Sequence, residues 1–244
     1  MRDAADPWEQ HAGWWQDQFT AGADPEYEEQ ILPLVVECLR GATRVLDVGC
    51  GEGQVARLAA RLDGMELVVG VDPTKAQVET AVARGGAAYA EGAAAALPVR
   101  TGAFDAVVAC LVFEHIRDVD AAIAEVARVL EPGGRFAFFL NHPLLQTPGS
   151  GWIDDQVLDP PEQYWRIGPY LVEEESMEEV EKGVFLPFIH RPLSRYVNAM
   201  AANGLRLRRM EEPAPPPGFL ARAEEYGQAA TIPRLLLLLA ERDG

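Results

Sequence analysis

The chain has 244 residues and a formal net charge of −17, from 38 acidic and 21 basic side chains. This acidity argues against sequence-independent binding to nucleic-acid phosphates and against binding to an anionic membrane. Small cations and neutral metabolites can still bind. The hydrophobic content of 48% is that of an ordinary globular protein, and the length fits one large domain or one domain with an insertion.

The three cysteines, Cys38, Cys50 and Cys110, are widely spaced, lie in apolar settings and form no C-x-x-C pair. This pattern favours free thiols in a reducing compartment over disulfides or a metal site. The sequence starts without an apolar signal region, and no apolar run reaches the ~18 residues that would span a membrane. We therefore expect a cytoplasmic protein without a metal and without membrane contact.

Residues 8–40 have the spacing of amphipathic helices, interrupted at 21–25. After them, short apolar runs alternate with helical segments. Four runs predict buried strands: 44–49, 66–72, 104–113 and 135–141. Three segments between them predict helices: 54–62, 74–85 and 118–130, the last with Asp118 or Asp120 as N-cap and the glycines of 132–134 as its end. Strands that are apolar on both faces and alternate with helices predict a parallel sheet covered on both sides.

The alternation stops at residues 142–190. Residues 142–155 are loop-like, whereas 176–191 alternate with period two around Lys182 and Gly183, which predicts a hairpin. Regular order returns with a predicted helix at 192–204, a strand at 205–213 and a proline-rich turn at 213–218. The leucine-rich segment 234–242 fits a helix or a membrane anchor as well, but it is too short for a bilayer and we predict a central strand.

The sequence VLDVGCGEGQVARLAA (45–60) places Gly49, Gly51 and Gly53 where a strand turns into a helix. Glycines at such a turn let the backbone bend sharply and let a ligand approach the N–H groups. Asp72 ends the next strand about 20 residues later, where a carboxylate can accept both hydroxyls of a ribose. Together these residues predict a nucleoside at the carboxyl ends of the strands.

The charge of this loop favours one kind of nucleoside over another. GEGQVA (51–56) also matches the G-x-G-x-x-A form of a dinucleotide site, so a dinucleotide-dependent oxidoreductase is one alternative. A pyrophosphate would disfavour the acidic residues Asp47 and Glu52 in this loop. S-adenosylmethionine carries an ammonium, a sulfonium and a ribose but no phosphate, and it suits an acidic loop better.

Over residues 43–141, and more loosely over 192–241, the chain resembles the class I S-adenosylmethionine-dependent methyltransferases. The resemblance rests on five motifs in order: VLDVGCGEG (45–53), VVGVD (68–72), the G…ALP of 92–98, FDAVV…EHI (104–116) and ARVLEPGGRF (127–136). It implies an α/β fold with a doubly wound, mostly parallel seven-stranded sheet whose last strand, at 234–242, is antiparallel. The whole of 1–244 would then be one domain, with a helical lid at 1–40 and an insertion at 142–190 that covers the acceptor site.

The resemblance also implies roles for single residues around the cofactor. Gly49, Gly51 and Gly53 would lie against the methionine moiety, with Asp47 near its amino group. Asp72 would hold the ribose.

Other positions would surround the sulfonium and the adenine. Cys110 and Leu111 would lie near the sulfonium. The family usually has an aspartate for the adenine amino group, but this chain has Ala93 there. We therefore expect the backbone of Ala94 and the side chain of Leu97 to hold the adenine. From the lid, Trp15 and Tyr27 would reach the cofactor, unless they belong to an apolar stripe that packs on the sheet.

Methyl transfer mainly requires that the acceptor atom is aligned with the methyl group and the sulfur. It requires a base only where the acceptor must lose a proton. The candidate bases are His115, His142 and His190, although each could have a purely structural role. The aromatic residues of the insertion predict an aromatic or largely apolar small-molecule acceptor, with a homodimer contact as the alternative for the same residues: Trp152, Tyr164, Trp165, Tyr170, Phe185 and Phe188.

The sequence thus predicts O- or N-methylation of a small molecule, more than C-methylation, with no nucleic-acid partner. An alternative is a protein of the same fold that binds S-adenosylmethionine without transferring methyl, such as a cyclase or a regulatory binder. The missing acidic residue at Ala93 and the lack of an unmistakable base favour that alternative.

Overall fold

The structure is a computed structural model, and it describes residues 7–20, 23–223 and 228–244. Its helices are α1 Pro7–Phe19, α2 Leu32–Cys38, α3 Gln54–Ala59, α4 Lys75–Arg84, α5 Val119–Val129, α6 Leu193–Ala202 and α7 Pro217–Leu220. Its strands are β1 Arg44–Val48, β2 Leu67–Asp72, β3 Ala88–Glu91, β4 Phe104–Cys110, β5 Leu130–Asn141, β6 Gly151–Asp155, β7 Glu162–Arg166, β8 Glu174–Glu181, β9 Val184–His190, β10 Leu205–Glu211 and β11 Leu235–Arg242. A π-helical turn, Tyr27–Ile31, leads directly into α2. Parts of the predicted N-terminal lid, residues 1–6 and 21–22, lie outside the described residues.

Seven strands form one sheet in the order β10-β11-β5-β4-β1-β2-β3. The strands from β1 to β5 pair in parallel, whereas β11 lies antiparallel between β5 and β10. The predicted fold, a doubly wound and mostly parallel seven-stranded sheet with an antiparallel last strand, is confirmed. The carboxyl ends of β1, β2 and β4 meet at one edge, and this edge carries the site described below.

The leucine-rich segment is strand β11, as predicted. Leu236 and Leu238 belong to the apolar core beneath α5 and α6, and Leu235 and Leu237 belong to the core on the opposite face, beneath α2 and α3. Successive side chains of a strand point to opposite faces, so a strand buried on both faces has no polar position. The run of leucines therefore reflects double burial in the sheet, and the helical alternative is wrong.

Three strands of the main sheet depart most from the prediction. The edge strand β3 was not predicted, because Ala88–Glu91 is short and partly exposed and has no apolar run. β4 ends at Cys110 rather than at 113, because Leu111 takes a φ of 56° and turns the chain away. β5 begins at Leu130, before the predicted glycine turn, and a register shift in its pairing with β4 accommodates the extra residues.

The insertion holds two separate two-stranded sheets. The predicted hairpin at Lys182 and Gly183 is present as β8 and β9. The preceding segment, predicted to be a loop, contributes β6, which pairs antiparallel with β7. Within the described ranges, no helix combines the length and the apolar character that crossing a membrane would require.

Candidate active site

A cavity at the carboxyl ends of β1, β2 and β4 encloses about 870 Å³, counted with its opening to solvent. The structure brings nine of the predicted site residues into the wall of this cavity: Trp15, Tyr27, Asp47, Gly49, Gly51, Asp72, Cys110, Leu111 and His115. We refer to it below as the cofactor cavity.

The loop after β1 is held in place by strand β2. The N–H groups of Gly49 and Cys50 both donate to the carbonyl of Val71, at 2.7 and 3.1 Å. The two carboxylate oxygens of Asp72 accept the N–H groups of Gly51, at 2.9 Å, and of Thr74, at 2.8 Å. Asp72 therefore ties the glycine loop to the start of α4, and because each carboxylate oxygen can accept more than one hydrogen bond, it can still accept from a ligand.

Gly49 has a φ of 71°, and a Cβ at this position would collide with both methyl groups of Val112. We expect Gly49→Ala to lower the free energy of unfolding by about 1–3 kcal/mol more than Gly64→Ala does. Gly64 is the matched control because its φ is 80° and nothing lies within 4 Å of its Cβ position, so only backbone strain is added there. Urea unfolding of both variants measures the difference. Equal losses would mean that Val112 gives way and that the loop tolerates a side chain.

Asp47 is the strongest candidate for a ligand-binding group in the cofactor cavity. Its side chain is 2% exposed, and its Oδ2 atom is buried without a hydrogen-bond partner. Burial, aided by the negative charges of Asp72 and Glu52, raises the pKa of Asp47 to about 7. Buried polar groups in proteins normally have partners, so an unpaired acceptor in a cavity wall indicates that a donor binds there. A ligand ammonium would meet this requirement.

Glu52, the other acidic residue of the loop, has two cationic partners. Its Oε2 forms ion pairs with Arg57, at 2.5 Å, and with Arg84, whereas its Oε1 is buried without a hydrogen-bond partner. Two arginines thus balance the charge of Glu52, and among the described residues none forms an ion pair with Asp47.

Four predicted cofactor residues lie outside the wall of this cavity: Gly53, Ala93, Ala94 and Leu97. Leu97 is 5% exposed within the core beneath α5, and its N–H donates to Glu125 Oε2 at 2.8 Å. Leu97 therefore packs in the core and not in the wall of this cavity, and its predicted contact with adenine stays a prediction. Gly53 is the N-cap of α3, and its Cβ position would collide with the ring of Tyr89. The roles of Ala93 and Ala94 stay predictions.

A second cavity, of about 980 Å³ counted with its opening to solvent, adjoins the first and shares five residues of its wall: Trp8, Trp15, Phe19, Leu111 and His115. We call it the acceptor cavity. Its other walls come from the segment before α2 and from the β8–β9 hairpin. A molecule in this cavity would face the cofactor cavity across Leu111 and His115.

His115 is the predicted base that the structure brings to both cavities. Its Nδ1 lies 2.7 Å from the carbonyl of Pro187, which can only accept, so Nδ1 carries the proton and Nε2 keeps a lone pair. The imidazole packs edge-on against Trp8, with ring centres 4.7 Å apart, and against Phe188, at 4.5 Å. Burial lowers the pKa of His115 to about 4, so the ring is neutral at physiological pH.

The other two predicted bases lie outside the walls of both cavities. His142 Nε2 donates to Glu212 at 2.8 Å, and its Nδ1 accepts the N–H of Leu144. His190 Nε2 donates to the carbonyl of Tyr170 at 2.8 Å. His142 thus links the start of the insertion to the segment after β10, His190 links two segments within the insertion, and neither histidine lines one of the two cavities.

Helix α1 provides most of the aromatic wall, which the sequence placed in the insertion. Trp8, Trp14, Trp15 and Phe19 line the acceptor cavity, and of the insertion aromatics only Phe188 is among the wall residues. Trp152 and Trp165 pack against each other and line a separate pocket, and Tyr164 and Phe185 are 42% and 46% exposed. In this cavity, α1 rather than the insertion therefore supplies most of the aromatic wall.

Contacts on two sides hold α1 over the cavities. The Gln16 amide donates to Gln77 Oε1, at 2.9 Å, and to Thr80 Oγ1, at 3.2 Å, both on α4. On the other side, the Trp14 indole donates to Glu181 of β8. The sequence indicates these aromatic residues of α1 only by their helical spacing, and that spacing does not predict which part of the fold they cover.

Residues 46–138 match a family model described as a methyltransferase domain. The O-methyltransferase resE of Aspergillus sclerotiorum is 32% identical over 136 residues, which are 52% of this chain and 51% of that protein. The demethylmenaquinone methyltransferase of Thermus thermophilus is 38% identical over 120 residues, 47% of this chain and 53% of that protein. The chain thus spans about half the length of these relatives.

A solved structure covers more of the chain. The S-adenosylmethionine-dependent methyltransferase from Mesorhizobium loti superposes with a TM-score of 0.74 and 28% identity, over 87% of this chain and 96% of that one. The strand order, the glycine loop after β1 and the acidic end of β2 agree with the family resemblance of the sequence. Residues 46–138 thus match the methyltransferase-domain family, and the fold of the chain is similar to that of a solved S-adenosylmethionine-dependent methyltransferase.

Proposed function

We propose that the protein transfers the methyl group of S-adenosylmethionine to an oxygen or nitrogen atom of a small molecule. The observation that carries this proposal is the pair of adjoining cavities, one at the glycine loop and one beneath α1, which meet at Leu111 and His115. A methyl donor in the first cavity and an acceptor in the second would face each other there. The relatives named as O-methyltransferase and demethylmenaquinone methyltransferase support a small-molecule acceptor.

The residues of the cofactor cavity fit S-adenosylmethionine. The unpaired Oδ2 of Asp47 would accept from the ammonium, the glycine loop would lie along the methionine moiety, and Asp72 would accept from the ribose. When bound, the cofactor supplies an activated methyl group on a sulfonium. The protein's own contribution is therefore to align the acceptor and to exclude water.

His115 would align the acceptor through its Nε2 lone pair, by accepting a hydrogen bond from the acceptor's hydroxyl or amine. An oxygen that gains a methyl group becomes positively charged, and its proton becomes strongly acidic. A weakly basic imidazole is therefore sufficient to take that proton, even with a pKa of about 4. Trp8 and Phe188 keep the ring in place, and the carbonyl of Pro187 fixes the tautomer.

We further propose one functional domain with α1 as the lid, an aromatic or largely apolar acceptor and a cytoplasmic location. The aromatic wall of the acceptor cavity supports the acceptor class, and three buried free cysteines support the location. The net charge of −17 supports the absence of nucleic-acid binding. Apolar side chains on the insertion surface, among them Val157 and Leu171, would suit a homodimer contact.

Calorimetry with S-adenosylhomocysteine and with NADH, followed by a turnover screen over phenols, alcohols and amines, tests the proposed function. We expect S-adenosylhomocysteine to bind, NADH not to bind, and S-adenosylhomocysteine to form from S-adenosylmethionine in the presence of an acceptor. Binding without turnover over the whole screen would favour the cyclase or regulatory alternative. Binding of NADH alone would overturn the assignment of the cofactor.

A further inference from the structure

The acceptor cavity contains a buried amide side chain in which one of the two polar atoms has no hydrogen-bond partner. Gln30, in the π-helical turn before α2, is 8% exposed. Its Nε2 donates to the carbonyl of Ala214 at 2.7 Å, which fixes the orientation of the amide. Its Oε1 is buried without a partner in a residue that lines this cavity. An unpaired buried acceptor is costly, and a ligand that donates a hydrogen bond would remove that cost.

Two carboxylates add further acceptors to the same cavity. Glu178, on β8, accepts from the hydroxyl of Ser176, and burial raises its pKa. Asp24 accepts the N–H of Glu26 at 3.0 Å, and burial raises its pKa as well, against the lowering effect of Arg222 and Arg234. Both carboxylates are partly desolvated, so a ligand that donates to them would be bound more strongly than at an exposed surface.

The donors of this cavity, in contrast, are mostly bound within the protein. Arg234 forms a forked ion pair with Glu26, at 2.9 and 3.2 Å. Asn141 Nδ2 donates to Glu114 at 2.7 Å, and the Trp14 indole donates to Glu181. The wall therefore offers a ligand several hydrogen-bond acceptors, including Nε2 of His115, whereas most of its hydrogen-bond donors are already bonded within the protein.

We infer that the methyl acceptor is a flat molecule, neutral or cationic, whose polar groups donate hydrogen bonds, and that carboxylate and phosphate compounds are excluded from this cavity. The inference rests on the proposed function for the role of the cavity. The indole rings of Trp14 and Trp15 would contact the flat body of the acceptor, and they would also stabilise a cation above their faces. A carboxylate would meet Glu178 and Asp24 and would find few free donors.

Three probes with one phenol ring and different side chains test this selectivity: tyramine, para-hydroxyphenethyl alcohol and para-hydroxyphenylacetate. Each is titrated by calorimetry into the full chain, both free and saturated with S-adenosylhomocysteine. We expect the amine and the alcohol to bind at least about tenfold more tightly than the carboxylate. Equal affinities, a preference for the carboxylate, or no binding of either donor probe at millimolar concentration would overturn the inference.

A pair of variants on one strand assigns the selectivity to the cavity. Glu178→Gln replaces the carboxylate by a neutral amide, and we expect it to reduce the preference for tyramine over the carboxylate probe roughly threefold or more. Glu174→Gln is the matched control, because Glu174 lies on the same strand, is exposed and does not line the cavity. An unchanged preference in Glu178→Gln would also contradict the inference. Failure of S-adenosylhomocysteine to bind would instead count against the proposed function, since the probe affinities are measured on the free protein too.

Discussion

His115→Asn should lower kcat by about 10²–10⁴-fold for the acceptor that the turnover screen identifies. The asparagine amide can still donate to the carbonyl of Pro187, as Nδ1 does in the native protein, but it has no acceptor at the position of Nε2. The substitution therefore removes the group that would align the acceptor and take its proton. The binding of S-adenosylhomocysteine should change little, because this proposed role concerns the acceptor.

His142→Asn is the control for this prediction. His142 is a buried histidine that bonds to Glu212 and lines neither cavity, so its loss should lower the melting temperature and leave kcat nearly unchanged at a temperature where the variant is folded. Steady-state kinetics and thermal unfolding of both variants separate the two effects. A His115→Asn enzyme with native kcat would show that the acceptor needs no base from this residue.

The parts of the fold that were predicted from sequence depend on local patterns. The leucines of β11 could be assigned because double burial in a sheet leaves no polar position, and the turn at Gly49 because the glycines after β1 allow the positive φ that a sharp turn requires. Both signals lie within a few neighbouring residues. The edge strand β3 has neither signal, since half-exposed strands at the edge of a sheet carry no apolar run.

The choice among the three histidines could not be made from sequence because it depends on contacts between distant residues. His142 directly follows β5 at the correct edge of the sheet, yet its ring turns toward Glu212, 70 positions further along the chain. The ring of His115 is oriented by its hydrogen bond to the carbonyl of Pro187, 72 positions away, and packs against a tryptophan of α1. The environment of Leu97 likewise depends on a distant residue, because Glu125 of α5 accepts its N–H and the side chain packs in the core.

Asp47→Asn should weaken the binding of S-adenosylhomocysteine by about 10- to 100-fold at pH 8, because it removes a charged acceptor of the ligand ammonium. Asp63→Asn, at an exposed position after α3, is the control and should bind as the native protein does. The pKa of Asp47 in the free protein is about 7, so the fraction that is ionised falls as the pH is lowered from 8 to 6. The affinity of the native protein should fall with it, and the affinity of Asp47→Asn should stay nearly constant over this range.

The same variant should stabilise the ligand-free protein, which distinguishes a binding role from a structural one. The pKa of Asp47 lies above its unfolded value of about 4, so the folded state binds the proton more tightly. The free energy of unfolding therefore decreases as the pH rises from about 4 to 7, and ionised Asp47 destabilises the fold at pH 8. Asp47→Asn should melt above the native protein at pH 8, by roughly 2–4 °C for each kcal/mol gained, and the gain should shrink at pH 5.

Glu114, whose pKa burial also raises to about 7, has the same effect on both proteins and cancels in this comparison. A variant that lost ligand binding and also melted below the native protein at pH 8 would show that Asp47 supports the glycine loop, and the proposed contact with the ammonium would then be wrong.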